Sequence, residues 1–369
     1  MRSLTKSPLQ LAAPILLIVV TTLLEGVVAF PQQIEFSNAL VMVAIVVSLY
    51  VFVGNSGVIS FGQVSFAAVG GYLSGVITLD AQTKTFTMPT LFPILLHAQI
   101  GLVPSLALAA AAGGIFALLA GLPIMRLSGL PAGIATLAVL GITYNVLYYW
   151  GKVGPGPQTL SSIPQIGRWT LALGTIVIVV IAFGYQRTRS GRQLRATRED
   201  RAAALAYGIN VYRQRLLAFT LSGALSGLAG ALYVHQLGLI EPSDQFYLTL
   251  TFLTLAMLVV GGTHSLWGAV VGALAISAVN SFFSDAENTV HILGLRLTVP
   301  SGTDLVVVGV LMLLVLILRP SGLTGGREFG WPHWSRRPST PSAEDEPLDV
   351  AHAAVPGAPA PHGSGTELG

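Results

Sequence analysis

The stretch SGRQLRATREDRAAALAYGINVY, residues 190–212, is a polar, Arg-rich segment between two long apolar runs, and it is the most informative segment of the chain. Ser190 is a candidate N-cap, and Gln193 three residues later completes a capping-box pattern. The Ala-rich core favours helix, and Gly208 stands where helices commonly stop. Each charge at the centre of a bilayer costs roughly 2.5–3.5 kcal/mol. This helix of about five turns is therefore predicted to lie at the cytoplasmic membrane surface, which basic residues mark.

Two interpretations of this segment stay open. It is either a solvated loop that obeys the charge rule or a helix on which a partner docks. A short capped helix with charges of both signs is more than the charge rule requires, which favours docking. The charges stand in its first half, at Arg192, Arg195, Arg198, Glu199, Asp200 and Arg201.

The composition is that of an integral membrane protein. Of the 369 residues 53% are apolar and only 9% are charged, with a mean hydropathy of +0.72, whereas soluble domains carry about 25% charged residues. The chain has no cysteine, which excludes disulfides and thiolate metal sites. The net charge of +3 indicates no nucleic-acid partner, because the basic residues stand beside apolar runs.

Hydropathy predicts an all-α bundle of about ten membrane spans. For the first, a retained span is favoured over a signal peptide because the run is longer than a signal's apolar region. With ten spans, all but four of the 19 basic residues fall on one side, so both termini are predicted to be cytoplasmic. The predicted spans are residues 9–30, 39–53, 57–79, 101–120, 132–150, 169–185, 216–237, 246–260, 266–283 and 304–318.

Residues 1–323 are thus predicted to form the membrane domain, with residues 324–369 as a disordered cytoplasmic tail. The tail is rich in Pro, Ala, Ser and Gly, with little apolar surface to bury. No phosphate-binding loop, zinc motif or nucleophile elbow occurs anywhere in the chain. We therefore expect no catalytic residue, no metal and no cofactor, and any ATP that is used would be bound by another chain.

Neutral polar residues at membrane depth are candidates for a translocation pathway, namely Asn55, Gln63, Ser65 and Asn145. For neutral amides and hydroxyls, bridging between helices is an equally good explanation. Small-residue ladders at 222–230 and 70–75 predict close helix packing. Gly62, Ser65 and Ala68 recur as Gly262, Ser265 and Gly268, a weak internal echo. No unpaired acid lies in the middle of a predicted span, Glu25 being the nearest, which argues mildly against a proton- or sodium-coupled carrier.

Five stretches resemble, in order, the LivM-like permease subunits of branched-chain amino-acid ABC importers. The most specific is GRQLRATREDRAAALAYGINVYRQRLLAFTLSGALSGLAGALY, residues 191–233, which is similar to the coupling segment of that family. The others are SGVISFGQVSFAAVGGYLSG at 56–75, PIMRLSGLPAGIATLAV at 123–139, MLVVGGTHSLWGAVVGA at 257–273 and LRPSGLTG at 318–325. The resemblance covers roughly residues 40–325.

The resemblance implies a multi-pass permease of the bacterial inner membrane, embedded in lipid. Its implied partners are a second permease, two ATPase subunits and an extracytoplasmic substrate-binding protein. Segment 187–212 would then couple the permease to an ATPase through Gly191, Arg195, Arg198, Glu199, Asp200, Ala203 and Gly208. Departures at Leu130–Pro131, Gly141 and the loop 153–164 leave the substrate open, since related permeases carry urea, amides or aromatic acids.

Two other classes compete with an ABC permease that moves branched-chain or other hydrophobic amino acids. One is a self-contained secondary carrier or channel, and the other is a membrane scaffold without transport. The capped charged helix favours the permease, because a carrier needs no such docking element.

Overall fold

The computed structural model describes residues 7–28, 30–242, 245–287, 290–292, 295–297, 302–319, 321–326 and 328. Within them the chain is helical apart from one short hairpin and the connecting loops. The helices are α1 Ser7–Glu25, α2 Phe30–Ser56, α3 Gln63–Thr78, α4 Ala81–Thr87, α5 Pro93–His97, α6 Leu102–Ile124, α7 Leu130–Tyr149, α8 Arg168–Arg187, α9 Arg189–Glu199, α10 Arg201–Ala206, α11 Val211–Leu237, α12 Leu248–Gly261, α13 Leu266–Glu287 and α14 Thr303–Leu318. The hairpin pairs β1 Val290–Ile292 with β2 Leu295–Leu297, antiparallel.

The predicted all-α class is confirmed, and each of the ten predicted apolar segments corresponds to one helix. Those helices are α1, α2, α3, α6, α7, α8, α11, α12, α13 and α14. Among the described residues, six helices are long and apolar enough to cross a membrane, or seven if α3 and α4, bent by 115°, form one broken span. Shorter apolar helices lie at Gln10–Glu25, Leu248–Gly261 and Val306–Leu318. The count of ten spans stays a prediction.

Local structure differs from the sequence-based expectation at α2 and in the loop 80–100. α2 begins at Phe30, nine residues before the predicted span, because Pro31 suits the first turn of a helix. Glu35 consequently lies inside a membrane-crossing helix instead of a loop. The predicted loop 80–100 contains α4 and α5, and Asp80 caps α4 by accepting from the Gln82 amide at 3.2 Å.

Glycine-based packing holds α3, α6 and α11 together at the centre of the bundle. A Cβ at Gly70 would collide with the Gly227 backbone, and one at Gly230 would collide with the carbonyl of Ala67. Gly227 in turn lies directly against the Ala109 carbonyl of α6. Small residues allow such close backbone approach, so the predicted ladders are packing faces within this chain. α2 is the most enclosed of the six long apolar helices of the described chain, with 83% of its apolar 18-residue stretch buried, against 28% for α6.

The end of the bundle that carries α9 and α10 is called here the coupling end, and the opposite end the far end. At the coupling end, residues 321–326 and 328 follow α14 and contact the turn between α12 and α13. The Leu323 amide donates to the Val260 carbonyl at 2.8 Å, and the Thr324 hydroxyl donates to the Gly261 carbonyl at 2.9 Å. The Glu328 carboxylate accepts from the first amides of α13, at Leu266 and Trp267.

These contacts move the domain boundary predicted at residue 324. By its internal contacts the chain separates into residues 1–330 and 331–369, so Thr324 and Glu328 belong with the helices. The reason is local: the amides that begin α13 need acceptors, and Glu328 supplies them. The rest of the predicted tail, residues 331–369, lies outside the described residues.

Candidate functional site

The predicted five-turn coupling helix is two helices with a break at Asp200. Asp200 is extended (φ −145°, ψ 109°), and its side chain accepts from the amides of Ala202 and Ala203 at 2.8 and 3.0 Å. Asp200 therefore ends α9 and caps α10, as short acidic side chains favour. Gly208, at φ +74°, follows the end of α10 in the left-handed conformation, which agrees with its predicted role as a stop.

The predicted capping box at Ser190 is wrong. The N-cap of α9 is Thr188, whose hydroxyl accepts from the Gly191 amide at 3.1 Å. Ser190 and Gln193 both bind the side chain of Gln214 instead, and the Gln214 amide donates to Gln193 Oε1 at 2.8 Å. Gln214 belongs to α11, so Ser190 and Gln193 connect α9 to the bundle.

One face of α9 is packed against the permease. Gly191, Leu194 and Thr197 are buried there, at a helical spacing of three. A Cβ at Gly191 would collide with the carbonyl oxygen of Tyr185 at the end of α8. The glycine is thus needed for α9 to lie against α8, and it is not available to a partner.

Two of the predicted coupling charges face inward, contrary to the expectation that they occupy exposed turns. Arg195 donates to the carbonyl of Gln186 near the end of α8. Arg198 donates to the carbonyl of Gly54 near the end of α2 and pairs with Glu199 at 3.0 Å. Helix C-termini carry unpaired carbonyls and partial negative charge, so two arginines are well matched to them. Both arginines are half-buried.

The outer face consists of Glu199 and most of α10. The Glu199 side chain is 73% exposed, and Asp200, Arg201, Ala203 and Gly208 are exposed as well. Leu205 is 54% exposed and Tyr207 87% exposed, beside these charges. Sequence reasoning missed both, although an aromatic residue in a charged segment with no core to fill was a usable signal.

The four pathway candidates make no hydrogen bond to one another in the described part of the chain. Asn55 is fully buried, and its amide donates to the Val51 carbonyl of its own helix at 2.9 Å. Ser65 donates to the Gly62 carbonyl, within its own turn. Asn145 donates to the Gly141 carbonyl at 2.7 Å and lies on an exposed face of α7. Gln63 is 2% exposed, and neither end of its amide has a partner among the described residues.

The α12–α13 turn lies against the last residues of α2 at the coupling end. A Cβ at Gly54, where α2 ends, would come within 2.8 Å of the Thr263 carbonyl in the α12–α13 turn. The echoed serines differ in role, because Ser265 accepts from the Gly268 amide at 2.9 Å as a cap of α13 whereas Ser65 donates. The two serines at the recurring sequence positions thus differ in their hydrogen bonding.

A cavity of about 660 Å³ opens beside these turns. Arg198, Glu199 and His264 line it together with apolar residues that include Phe61 and Met312. Burial lowers the pKa of the His264 imidazole, the charge of Arg198 lowers it further, and Glu199 acts in the opposite direction. The imidazole is therefore neutral at pH 7. Within the described residues, no group of three or more His, Asp or Glu side chains is arranged to hold a metal.

Comparison with known proteins identifies the family. Residues 36–316 match the profile of the permease component of branched-chain amino acid transport systems. The chain is 26% identical to the Escherichia coli high-affinity branched-chain amino acid permease protein LivM, over 82% of this chain and 73% of that protein. It is 26% identical to the probable branched-chain amino acid permease protein LivH of Methanocaldococcus jannaschii, over 79% of this chain and 90% of that one.

A second group of similar proteins is named for the import of a different substrate, autoinducer 2. The chain is 32% identical to the autoinducer 2 import system permease protein LsrC of an Enterobacter species, over 51% of this chain. It spans about half the length of such relatives, 55% of this one and 47% of the LsrC protein of Klebsiella pneumoniae. No solved structure matches the chain. With most of its length inside the family profile and several helices apolar enough to cross a membrane, this chain belongs to the family of multi-pass permease components of branched-chain amino acid transport systems.

Proposed function

We propose that the chain is the permease subunit of a binding-protein-dependent ABC importer that moves branched-chain or other hydrophobic amino acids into the cytoplasm. Separate subunits bind and hydrolyse the ATP, so the permease itself needs no cofactor. The observation that carries the proposal is the division of the coupling segment. α9 is bound to the bundle through Arg195 and Arg198. Leu205 of α10 and Tyr207, the residue that follows α10, are exposed among charges.

This division provides a way to transmit motion. A partner that moves α10 also moves α9, because the two are joined at Asp200. α9 then acts on the ends of α2 and α8 through the Gly54 and Gln186 carbonyls. Since the end of α2 contacts the α12–α13 turn, the movement reaches the cavity beside His264.

The other partners follow from the remaining surfaces. α6 and α7 expose large apolar residues such as Ile115, Leu119, Ile134 and Ile142, which suit lipid or a second permease. The coupling end and both termini are assigned to the cytoplasm. The far end then faces the extracytoplasmic binding protein.

A second candidate substrate is autoinducer 2, favoured by the similarity to the LsrC proteins. Urea, amides and aromatic acids remain alternatives on the same architecture. A self-contained secondary carrier is the alternative from another class, and it would require neither an ATPase nor an exposed α10.

Uptake into proteoliposomes tests the proposal. The chain is reconstituted with the partner permease, ATPase and binding protein encoded nearest to it, and labelled L-leucine, urea and autoinducer 2 are compared. We expect ATP-dependent, vanadate-sensitive uptake that is strongest for leucine. Uptake driven by an ion gradient without the ATPase would show a secondary carrier instead.

A further inference from the structure

A second cavity, of about 230 Å³, lies between α2, α11, α12 and α13 at the far end of the bundle. It is far larger than the roughly 10–15 Å³ needed by one water and below the roughly 300 Å³ of a drug-sized pocket, so it suits a small solute. One part of its wall is apolar, with Met42, Leu253 and Met257. Polar side chains form another part of the wall, namely Glu35, Asn38, Gln245, Ser277, Asn280 and Ser281.

Several of these polar groups lack a hydrogen-bond partner among the described residues. They are Asn38 Oδ1, Gln245 Nε2, Ser277 Oγ and Asn280 Oδ1. Gln245 and Ser277 are 9% and 7% exposed. Buried polar groups are normally paired, so such a concentration around one cavity indicates a ligand that pairs them.

Two residues of the cavity wall, Gln245 and Glu35, have hydrogen bonds that show which of their atoms can donate or accept. Gln245 Oε1 accepts from the Glu241 amide at 2.9 Å, which leaves Nε2 as a donor. Glu35 accepts from the Ser281 hydroxyl, and no cationic side chain in the described part of the chain pairs with it. Glu35 stands one turn inside the crossing helix Gln32–Ser56. A carboxylate at such a position is a functional candidate, and a positive charge is its natural partner.

We infer that this cavity binds the ammonium group of a small amphiphile. The Glu35 carboxylate and the free amide oxygens of Asn38 and Asn280 accept from the ammonium. Gln245 and Ser277 donate to an anionic or polar group of the same molecule, and the apolar wall holds its hydrocarbon part. A neighbouring cavity of about 470 Å³ shares Glu35, Ser277 and Ser281 with this one, and Thr21 of α1 lines it as well.

Two molecules present this chemistry: a free hydrophobic amino acid, and a lipid with an ethanolamine headgroup. The choice of an amino acid as the probe rests on the proposed function. The test uses the full-length chain in nanodiscs of phosphatidylcholine and phosphatidylglycerol, which contain no primary amine. L-leucine, and 4-methylpentanoate, which lacks the ammonium, are titrated against the unfolding temperature and against bound radiolabelled leucine.

We expect leucine, and not 4-methylpentanoate, to raise the unfolding temperature. Glu35→Gln and Asn280→Leu should each weaken leucine binding, with a loss of about tenfold for Glu35→Gln, which removes a charge-assisted hydrogen bond. The matched control is Glu25→Gln, since Glu25 pairs with Ser37 and does not line the cavity. Should Glu35→Gln fail to fold, Asn280→Leu decides alone.

Unchanged leucine binding in a folded Glu35→Gln or Asn280→Leu variant would overturn the inference, as would equal binding of 4-methylpentanoate. Stabilisation by phosphatidylethanolamine, lost in Glu35→Gln and with no effect of leucine, would support the ammonium site and identify lipid as its occupant. Binding of leucine needs no ATPase. Leucine binding without vanadate-sensitive uptake would therefore support this site and contradict the proposed function. Vanadate-sensitive uptake that Glu35→Gln leaves normal, without any leucine binding, would overturn the inference alone.

Discussion

α9 and α10 are neighbours in sequence, and both are capped by a side chain, yet they belong to different surfaces. α9 buries Gly191, Leu194 and Thr197 and binds the ends of two membrane helices, while α10 buries only Ala204. Charge alone does not distinguish a helix that docks on its own protein from one that is open to a partner. The difference comes from the acceptors in reach: unpaired carbonyls of α2 and α8 lie beside α9.

The largest effect is expected for Gly191→Val, which should separate α9 from α8. The added side chain would collide with the Tyr185 carbonyl, and overpacking of this kind costs about 1–3 kcal/mol. The unfolding temperature of the purified permease and its leucine uptake should both fall. Ala196→Val adds comparable bulk on the exposed face of the same helix and should leave both nearly unchanged. Equal unfolding temperatures for the two variants would show that α9 is not packed as described.

Arg198→Met should lower the unfolding free energy by about 1–2 kcal/mol. The variant keeps the apolar stem and removes the charged hydrogen bond to Gly54, and the side chain is only 18% exposed. Arg192→Met is the matched control, because Arg192 is exposed, and its effect should stay within about 0.5 kcal/mol. Similar losses in both variants would mean that α9 is held by total charge and not by this contact.

Tyr207→Ala should leave the unfolding temperature unchanged and lower ATP-driven uptake about tenfold. Exposed aromatic residues often dominate binding surfaces, and this one is 87% exposed. Tyr149→Ala, a similarly exposed tyrosine at the far end of α7, should affect neither ATPase co-purification nor uptake. Retained co-purification of the ATPase with Tyr207→Ala would place the docking surface elsewhere.

A charge-reversal experiment in the coupling segment should change Glu199 alone, because Asp200 also caps α10. Glu199→Lys alone should uncouple ATP hydrolysis from uptake in a folded permease, by a smaller factor than Tyr207→Ala. Reversal at Asp200 would also remove the cap of α10, which costs about 0.5–2 kcal/mol. Asp200→Asn retains a capping side chain and is the appropriate companion variant. Normal coupled uptake by Glu199→Lys would remove this carboxylate from the docking surface.

Glu328 should give a modest pH dependence of stability. Burial raises the pKa of this carboxyl, although the Leu266 and Trp267 amides and nearby arginines oppose the rise. A raised pKa in the folded state means that its contribution to stability is present below the unfolded value and is lost as pH rises through the folded one. Unfolding temperature should therefore fall less steeply with rising pH, above about pH 4.5, in Glu328→Gln than in the wild type. Parallel pH profiles would contradict this.

The smallest effect is expected from deletion of residues 336–369. They carry no apolar periodicity, so the sequence predicts no packing role for them. Assembly and uptake should match the full chain. A loss of assembly on size-exclusion chromatography would show that the tail docks.

The all-α class, the ten apolar helices, the glycine packing faces and the stop at Gly208 could all be predicted from the amino-acid sequence. These features depend on hydropathy, small residues and backbone preferences, which act over a few neighbouring residues. Glu328 and the break at Asp200 were not foreseen, although an Asp followed by an Ala-rich run is a local cap signal.

Which side chains of the coupling segment face inward, and which polar residues meet, depends on how the helices pack in three dimensions. Arg198 reaches the Gly54 carbonyl across 144 residues of chain, and Ser281 reaches Glu35 across 246. No local pattern encodes contacts at such separations. They arise because packed helices bring unpaired carbonyls and buried polar groups together, and those groups then take the partners within reach. For the same physical reason, Asn145 faces outward while Asn55 is buried, although both are asparagines in apolar segments.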